Sequence, residues 1–294
     1  MKLRNFALLL SLAALFCMSS AFAATTYSYQ TVNYPGDTFT QLLGIDNAGI
    51  VAGYHGVSIN QGFTYNVASK KFTSENFPGS AQTQVIGINH EGPKTSGFYI
   101  TESGKTEGFT DVAGAFTTVN YPKTPFNQLL SQNDLGQAAG YYSTKADGSG
   151  PDFAYIYDEF GGLFQLFNIP GSVSAQATGI NDSVDVCGFF VDSSTNMHGW
   201  LLIGGHFTQL DDPNGVGTTQ ALGLNNEGQV VGSYTDSSGN SHGFVYTVSS
   251  KTWETIDDPS GIGTTIVNGI NDSGVLVGFY GTSPTNDGFV ATPE

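Results

Sequence analysis

Residues 220–259, QALGLNNEGQVVGSYTDSSGNSHGFVYTVSSKTWETIDDP, contain one complete unit of a repeat that runs through the chain. Turn residues separate four short runs rich in Val, Thr, Tyr and Phe: Gln220 to Asn225, Gln229 to Thr235, His242 to Val248 and Trp253 to Asp257. Such runs, bounded by Gly, Asn, Asp and Ser, predict β-strands, and no helical period competes with them. Turns such as Asn226-Glu227-Gly228 suit tight hairpins, because glycine adopts a positive φ without strain. The unit is therefore predicted to be a four-stranded antiparallel meander.

Four sequence markers indicate that this unit occurs six times. The first is a triplet, at Gly44-Ile45-Asp46, Gly87-Ile88-Asn89, Ser131-Gln132-Asn133, Gly179-Ile180-Asn181, Gly223-Leu224-Asn225 and Gly269-Ile270-Asn271. The second is a glycine in the next apolar run, at Gly53, Gly97, Gly140, Gly188, Gly232 and Gly278. The third is a pair ending in an aromatic residue, at Gly62-Phe63, Gly108-Phe109, Asp152-Phe153, Gly199-Trp200, Gly243-Phe244 and Gly288-Phe289. The fourth is a closing proline, at Pro35, Pro78, Pro122, Pro170, Pro213 and Pro259. The triplets are spaced 43 to 48 residues apart.

Four strands in every 40 to 50 residues are typical of a propeller blade, so six units predict six blades. The longest irregular connector, such as Asp258 to Thr264, should cross from the outer strand of one blade to the inner strand of the next. The triplet strand is then innermost, and the last unit has only three strands of its own. Tyr27 to Asn33 would supply its fourth. We therefore predict an all-β, six-bladed β-propeller of four-stranded antiparallel blades, closed by the N-terminal strand, as the single domain 24–294.

Residues 1–23 are predicted to be a cleaved signal peptide. Lys2 and Arg4 precede the apolar run Phe6 to Phe16, and Ala21-Phe22-Ala23 forms a small-x-small cleavage site. The apolar run is too short to span a bilayer, and no second run of about 18 residues follows it. Cys187 is the only cysteine after the signal, so no intramolecular disulfide is expected. We expect a secreted protein, extracellular or periplasmic, without membrane insertion.

The charge narrows the range of partners. The formal net charge is −16, and it becomes about −18 once Lys2 and Arg4 leave with the signal. An acidic surface repels nucleic-acid phosphates and anionic headgroups, so no nucleic-acid partner is expected. Cations, neutral glycans and proteins remain as partners, and we expect the protein to be a monomer.

With these markers in place, the chain resembles the bacterial extracellular HAF-repeat family. Units of that family carry a Gly-Ile-Asn-Asp-x-Gly turn, a Val-Gly-x-Tyr strand and a His-Gly-Phe strand. Gly269 to Gly274, Val277-Gly278-Phe279-Tyr280 and His242-Gly243-Phe244 match these motifs. Departures occur at Ser131-Gln132 and Asp152 in the third unit, Pro93 in the second and Val184 in the fourth. The resemblance covers all six units and implies export and the repeat fold, without implying catalytic residues.

The first candidate ligand-binding set is a ring of glutamines. Five of the six inner strands are expected to begin with glutamine, at Gln41, Gln84, Gln128, Gln176 and Gln220, and Ile266 stands in the sixth. In a propeller these residues would surround one mouth of the central channel. Their amides could bind ligand hydroxyls, or they could hydrogen-bond the connectors of neighbouring blades. Both interpretations stay open.

The second candidate is a metal site in the last blades. Asp211-Asp212-Pro213 and Asp257-Asp258-Pro259 replace the Asn-aromatic-Pro pattern of Asn33-Tyr34-Pro35. Loops beginning at Asp192 and Asp236 should lie on the same face as these connectors. Clustered carboxylates and amides favour Ca²⁺, which takes six to eight oxygen ligands. A calcium site of Asp192, Asp212, Asp236 and Asp258 and a merely solvated acidic surface are the two alternatives.

No other constellation points clearly to chemistry. The Asn or Asp of each triplet suits a turn-capping role, and the repeated aromatic residues suit an inter-blade core. His198 and His242 occupy equivalent strand positions without a Ser-His-Asp or metal-ligand spacing. The sequence favours a secreted, non-enzymatic binding or scaffold propeller that recognises an extracellular glycan or protein. The alternatives are a metal-assisted hydrolase or lyase acting on a polysaccharide or phosphate ester, and a structural surface-layer component.

Overall fold

Four-stranded antiparallel sheets make up the architecture, and six of them contain all 24 named strands. The structure is a computed structural model that describes residues 25–281 and 284–294. The predicted signal peptide, 1–23, lies outside the described residues. Within the described part of the chain, no helix is long and apolar enough to cross a membrane. The sheets are arranged in a ring as the blades of a propeller, which confirms the predicted fold class.

The strands are assigned to the blades as predicted, with the triplet strand innermost. The first strand, β1 (Tyr27–Val32), precedes blade 1, which runs outward as β2 (Thr40–Ile45), β3 (Ile50–His55), β4 (Gln61–Asn66) and β5 (Lys71–Ser74). Blade 2 contains β6 (Ser80–Ile88), β7 (Lys94–Thr101), β8 (Thr106–Val112) and β9 (Ala115–Val119). Blade 3 contains β10 (Phe126–Gln132), β11 (Gln137–Ser143), β12 (Asp152–Asp158) and β13 (Leu163–Leu166).

The second half of the ring repeats this order. Blade 4 contains β14 (Ser172–Ile180), β15 (Val186–Asp192), β16 (Met197–Ile203) and β17 (His206–Leu210). Blade 5 contains β18 (Gln220–Leu224), β19 (Gln229–Thr235), β20 (Ser241–Thr247) and β21 (Thr252–Ile256). Blade 6 contains β22 (Ile266–Ile270), β23 (Leu276–Tyr280) and β24 (Asp287–Pro293), with β1 as its outer strand.

The N-terminal strand closes the ring as predicted. β1 pairs antiparallel with β24, from Tyr27 opposite Pro293 to Val32 opposite Gly288. Val32 is buried, and Tyr27 and Tyr29 pack against the core of blade 6. Residues far apart in sequence are thereby tied together by backbone hydrogen bonds, and the outer edge of β24 is covered.

The six innermost strands pack against one another around the axis, and each contains a β-bulge that the sequence did not reveal. In blade 1, Leu42 pairs with Gly53 and Gly44 pairs with Ala52, so Leu43 is the extra residue. The same register shift precedes the triplet in every other blade. The bulge redirects a side chain. Leu43 consequently lines the space on the axis.

Close packing of the inner strands explains the triplet glycines. A Cβ atom on Gly44 would lie 2.8 Å from the backbone oxygen of Ile86 in the next blade. A Cβ atom on Gly269 would lie 2.5 Å from the backbone oxygen of Leu43. Because real Cβ contacts are not this short, the ring of inner strands requires a residue without a side chain here.

The core between blades is built on one wholly buried aromatic ring per blade: Phe63, Phe109, Tyr155, Trp200, Phe244 and Phe289. Each ring stands opposite a glycine of the second strand, as Trp200 does opposite Gly188. In blade 3 the predicted marker Asp152-Phe153 is wrong by two residues. Tyr155 pairs with Gly140 there, whereas Phe153 is 39% exposed. The sequence pair was misplaced because Ala154 replaces the glycine that precedes the aromatic residue elsewhere.

Candidate functional site

A channel of about 270 Å³ runs along the propeller axis and is lined by the inner strands. All six inner strands run in the same direction, so the channel has two chemically different ends. We call the end lined by Gln41, Gln84, Gln128 and Gln176 the glutamine mouth. We call the other end the asparagine end, because each triplet finishes there with Asn or Asp. His90 lines the channel at the asparagine end.

Four of the five predicted glutamines line the channel. The structure also shows that Gln84 and Gln176 lie within their strands, since β6 and β14 begin four residues earlier, at Ser80 and Ser172. Gln220 is partly exposed but is not among the residues that line the cavity. The expectation that all five glutamines begin their strands is wrong except at Gln220, and four of the five line the channel. Ligand binding by these residues stays a prediction.

The four glutamine amides alternate in what they present to the channel. Tyr54 Oη donates a hydrogen bond of 2.6 Å to Gln41 Oε1, and Tyr141 Oη donates one of 2.8 Å to Gln128 Oε1. Gln84 Nε2 donates to Asn60 Oδ1 at 2.7 Å, and Gln176 Nε2 donates to Asp152 Oδ2, also at 2.7 Å. Among the residues that the structure describes, the NH₂ groups of Gln41 and Gln128 and the carbonyl oxygens of Gln84 and Gln176 thus have no side-chain partner.

Three aromatic side chains complete the glutamine mouth: Tyr54, Phe98 and Phe189. Each follows the repeated glycine of the second strand, a position that we expected to belong to the inter-blade core. The aromatic residues of the third strands do belong to the inter-blade core, but these three rings of the second strands lie against the channel. Burial raises the pKa of Tyr54 to about 12, so its hydroxyl keeps its proton and remains a donor at neutral pH. The side chains that line the mouth are thus neutral amides and aromatic rings, and the carboxyl group of Asp152 lies behind Gln176.

The predicted calcium ligands lie on the same face, where Asp192 and Asp236 organise their loops. Asp236 Oδ1 accepts hydrogen bonds from the backbone N–H groups of Ser238 and Asn240, at 2.8 and 2.9 Å. Asp192 makes the same contacts one blade earlier, with Ser194 and Asn196. The hydrogen bonds from Asn240 are the main reason that the pKa of Asp236 falls to about 2. Both carboxylates act as turn caps.

Asp212 and Asp258 occupy the connectors and are almost completely buried, with 1% and 2% of their surface exposed. Each accepts a 2.8 Å hydrogen bond from the backbone N–H two residues later, from Asn214 and Ser260 respectively. Burial raises the pKa of both carboxyl groups. In the described part of the chain, no compact set of three metal-ligating side chains includes any of the four predicted aspartates. The structure therefore does not gather them into one donor set, and calcium binding there stays a prediction.

Two histidines lie among the carboxylates of this face, which we call the acidic sector: Asp192, Asp211, Asp212, Asp236, Asp257 and Asp258. His242 Nδ1 lies 2.9 Å from Asp257, and its Nε2 lies 3.4 Å from Asp236. His198 repeats the arrangement with Asp211 and Asp192, at 2.7 and 3.5 Å. Desolvation lowers the pKa of His242, but the hydrogen bond and charge of Asp257, followed by those of Asp236, raise it overall. These equivalent histidines are thus held between carboxylates, which the sequence alone did not indicate.

At the asparagine end, the last residues of four triplets donate hydrogen bonds to the backbone of the next blade. Asn271 Nδ2 donates to the backbone oxygen of Asp46 at 3.1 Å, and Asn225 Nδ2 donates to that of Asn271 at 3.0 Å. Asn181 and Asn133 continue the ring in the same way. The Oδ1 atoms cap the following turns, as Asn271 does for Ser273 and Val275. The structural interpretation of these residues is confirmed.

A second polar ring lies beside the first, formed by the residue after each triplet: Asn47, His90, Asp134, Asp182, Asn226 and Asp272. His90, Asp134 and Asp182 offer donor atoms that all lie within 4.8 Å of one another. Sequence reasoning missed this group. An alignment of the six repeats could have found it, because residues at equivalent positions of adjacent blades become neighbours around the axis.

A second cavity of about 640 Å³ lies between blades 1 and 2, and Glu75, Thr95 and Asp111 line it. Burial, and to a smaller extent the charge of Asp111, raises the pKa of Glu75 to about 7, against the opposing hydrogen bond from Thr95. A carboxyl group of this kind in a cleft could act as a general acid or base. No sequence marker indicated it, because Glu75 becomes partly buried only where two blades meet.

Comparison with known proteins supports the β-propeller fold but does not identify a function. No protein-family model matches the chain, and no curated protein is significantly similar to it. A TolB-like protein from Agrobacterium tumefaciens is similar in structure, with a TM-score of 0.61 and 11% identity over 90% of this chain and 92% of that protein. TolB from Acinetobacter baumannii gives a TM-score of 0.57 and 10% identity over 74% of this chain, which spans about half (54%) of that protein.

The β-propeller domain of the trilobed protease from Pyrococcus furiosus is a third structural neighbour. It has a TM-score of 0.51 and 12% identity over 87% of this chain and 83% of that domain, which is described as having an open velcro topology. In the present chain β1 closes the ring against β24. The chain therefore shares the β-propeller fold with these structural neighbours, and its own ring has six blades and is closed by β1.

Proposed function

We propose that this chain is a secreted, non-enzymatic binding propeller whose glutamine mouth recognises the end of an extracellular glycan. The observation that carries the proposal is the alternation of amide donors and acceptors around one opening that is lined by neutral side chains. A sugar hydroxyl both donates and accepts hydrogen bonds, so it can bridge Gln41 to Gln84 or Gln128 to Gln176. The rings of Tyr54, Phe98 and Phe189 would contact the apolar face of a sugar.

The size and charge of the channel support this class of ligand. Its volume of about 270 Å³ is slightly below the 300–1,000 Å³ of ordinary small-molecule pockets, which suits one end of a chain better than a long segment. The predicted export and the resemblance to HAF-repeat proteins agree with an extracellular ligand. The net charge of −16 agrees with a neutral ligand and with a monomeric protein that binds no nucleic acid. These points remain part of the proposal.

A glycan array followed by calorimetry tests the proposal. We expect a neutral glycan to bind, and Gln84→Ala or Gln176→Ala to weaken binding about 3- to 10-fold each, because each variant loses one acceptor. Gln165→Ala, on the exposed outer strand β13, is the matched control and should bind like the unmodified protein. Affinity that does not change in the mouth variants, or the absence of any glycan ligand, would refute the mouth as a glycan site.

A protein ligand is the second candidate, and a separate observation favours it. Val216 and Ile262 occupy equivalent connectors on the same face, and each is 74% exposed. Paired aliphatic side chains beside the acidic sector are suited to a protein surface with apolar and basic residues. Loss of a captured protein with V216S and I262S, but not with the glutamine variants, would favour this alternative over glycan binding.

The enzymatic alternative has one supporting feature. Glu75 and Asp111 bring two carboxyl groups to the cavity between blades 1 and 2, and the pKa of Glu75 is close to neutral. A hydrolase or lyase would need this pair to act on a polysaccharide or phosphate ester bound there. Release of products from a polysaccharide panel, abolished by E75Q, would replace the binding proposal.

A further inference from the structure

The asparagine end of the channel contains a compact set of possible metal ligands that the proposed function does not use. His90 stands where the other five units have Asn or Asp, and it faces Asp134 and Asp182 from the next two blades. His90 Nδ1 lies 3.6 Å from Asp182 Oδ2, which is outside hydrogen-bonding distance. The three residues are 44 and 48 positions apart in sequence, and only the ring brings them together.

The strongest observation is the state of the His90 side chain. Only 5% of the residue is exposed, and Nδ1 has no hydrogen-bond partner among the described residues. Leaving a buried polar atom unpaired destabilises the folded state, so such atoms usually have a function. The unpaired nitrogen is closest to Asp182 among the contacts described above, and the donor atoms of His90, Asp134 and Asp182 all lie within 4.8 Å of one another. A bound cation would satisfy all three groups at once.

The carboxylates are already held in position by neighbouring groups. Asp134 Oδ1 accepts hydrogen bonds from Asn89 Nδ2 at 2.6 Å and from the backbone N–H of Glu91 at 3.0 Å. Asp182 Oδ1 accepts one from the backbone N–H of Asp134 at 2.8 Å, and its Oδ2 accepts one from Asn226 Nδ2 at 2.8 Å. Supporting hydrogen bonds of this kind orient metal ligands, and here they occupy one oxygen of Asp134 and leave the other available.

We propose that His90, Asp134 and Asp182 bind one divalent first-row transition cation of the Zn²⁺ type on the propeller axis. An imidazole nitrogen with two carboxylates suits such ions, whereas Ca²⁺ and Mg²⁺ prefer oxygen ligands alone. Donor atoms around a tetrahedral zinc ion are about 3.3–3.4 Å apart, given bonds of about 2.0–2.1 Å. The separation of 3.6 Å between His90 and Asp182 is already close to that value. The fourth position would face the channel that His90 lines.

Zinc titration of the chelator-treated chain tests the site. We expect calorimetry to show one Zn²⁺ per chain, and His90→Asn to weaken that binding at least 100-fold, because even supporting groups outside the ligand set change metal affinity 10- to 100-fold. Asparagine stands at the same position in blades 1 and 5, as Asn47 and Asn226, so the variant is compatible with the ring. His198→Asn is the matched control, since it removes an imidazole beside carboxylates on the opposite face, and it should leave the affinity unchanged.

Two further measurements make the outcome decisive. Asp134→Asn should weaken zinc binding to a similar degree, and circular dichroism in chelator checks that each variant is folded. Anomalous diffraction from zinc-soaked crystals of the unmodified protein should give a peak between His90 Nδ1 and the two carboxylates. Zinc affinity retained in both variants, equally tight Ca²⁺ binding, or no peak at this place would overturn the proposal. The glycan experiment is unaffected by any of these results.

Discussion

Substitution of Glu75 by glutamine should remove the contribution of this carboxyl group to the pH dependence of the free energy of unfolding. Glu75 lies at the cavity between blades 1 and 2, where Thr95 Oγ1 donates a hydrogen bond to its carboxyl group and Asp111 is the nearest named charge. Burial raises its pKa from the ordinary 4.5 to about 7. The folded protein therefore holds this proton more tightly than the unfolded chain does.

The direction and size of the effect follow from that difference. Between pH 4.5 and about 7 the folded state binds more protons at Glu75 than the unfolded state, so stability is complete below pH 4.5 and falls as the pH rises. At about 1.4 kcal/mol per pKa unit, ionisation of Glu75 costs about 3 kcal/mol at pH 8. A change of this size corresponds to roughly 6–12 °C in melting temperature for a domain of this length.

Urea unfolding between pH 4 and pH 8 measures the effect. We expect E75Q to match the unmodified protein at pH 4 and to exceed its stability by about 3 kcal/mol at pH 8, because the neutral amide has no ionisation cost. Glu102 is exposed, so E102Q is the matched control and should show no such pH-dependent gain. Stability curves of E75Q and the unmodified protein that stay parallel over this range would refute the reasoning.

Two further predictions concern the closure and the core. Deletion of residues 25–33 removes β1 and its six residue pairs with β24, and unfolding free energies should fall by about 3 kcal/mol or more, with partial recovery when a peptide of this sequence is added. An unchanged melting temperature would show that β1 does not close the ring. Trp200→Ala should cost about 3–5 kcal/mol in urea unfolding, since the ring is fully buried, whereas Phe160→Ala, at a side chain that is 81% exposed, should stay within about 0.5 kcal/mol. Similar losses in the two variants would contradict the predicted core.

The sequence by itself determined the repeat, the number of blades and the phase of the strands. These features depend on local chemistry: glycines where backbones or rings crowd together, Asx residues that cap turns, and alternating apolar runs. Closure was predictable for the same reason, since the last unit lacks a strand and Tyr27 to Asn33 supplies it. The misplaced Phe153 shows the limit of pattern matching, because the position is decided by pairing with Gly140.

Only the tertiary structure decided which side chains meet. The four predicted aspartates of the acidic sector cap separate turns, and two of them, Asp192 and Asp236, also contact histidines. A cation site depends on distances of a few ångströms, which sequence spacing does not fix. Gln41 and Gln84 present opposite ends of their amides because their partners, Tyr54 and Asn60, come from different loops and strands. His90 belongs to none of the four sequence markers. Closing the ring buries its imidazole opposite carboxylates from two other blades, since radial symmetry turns equivalent positions into neighbours.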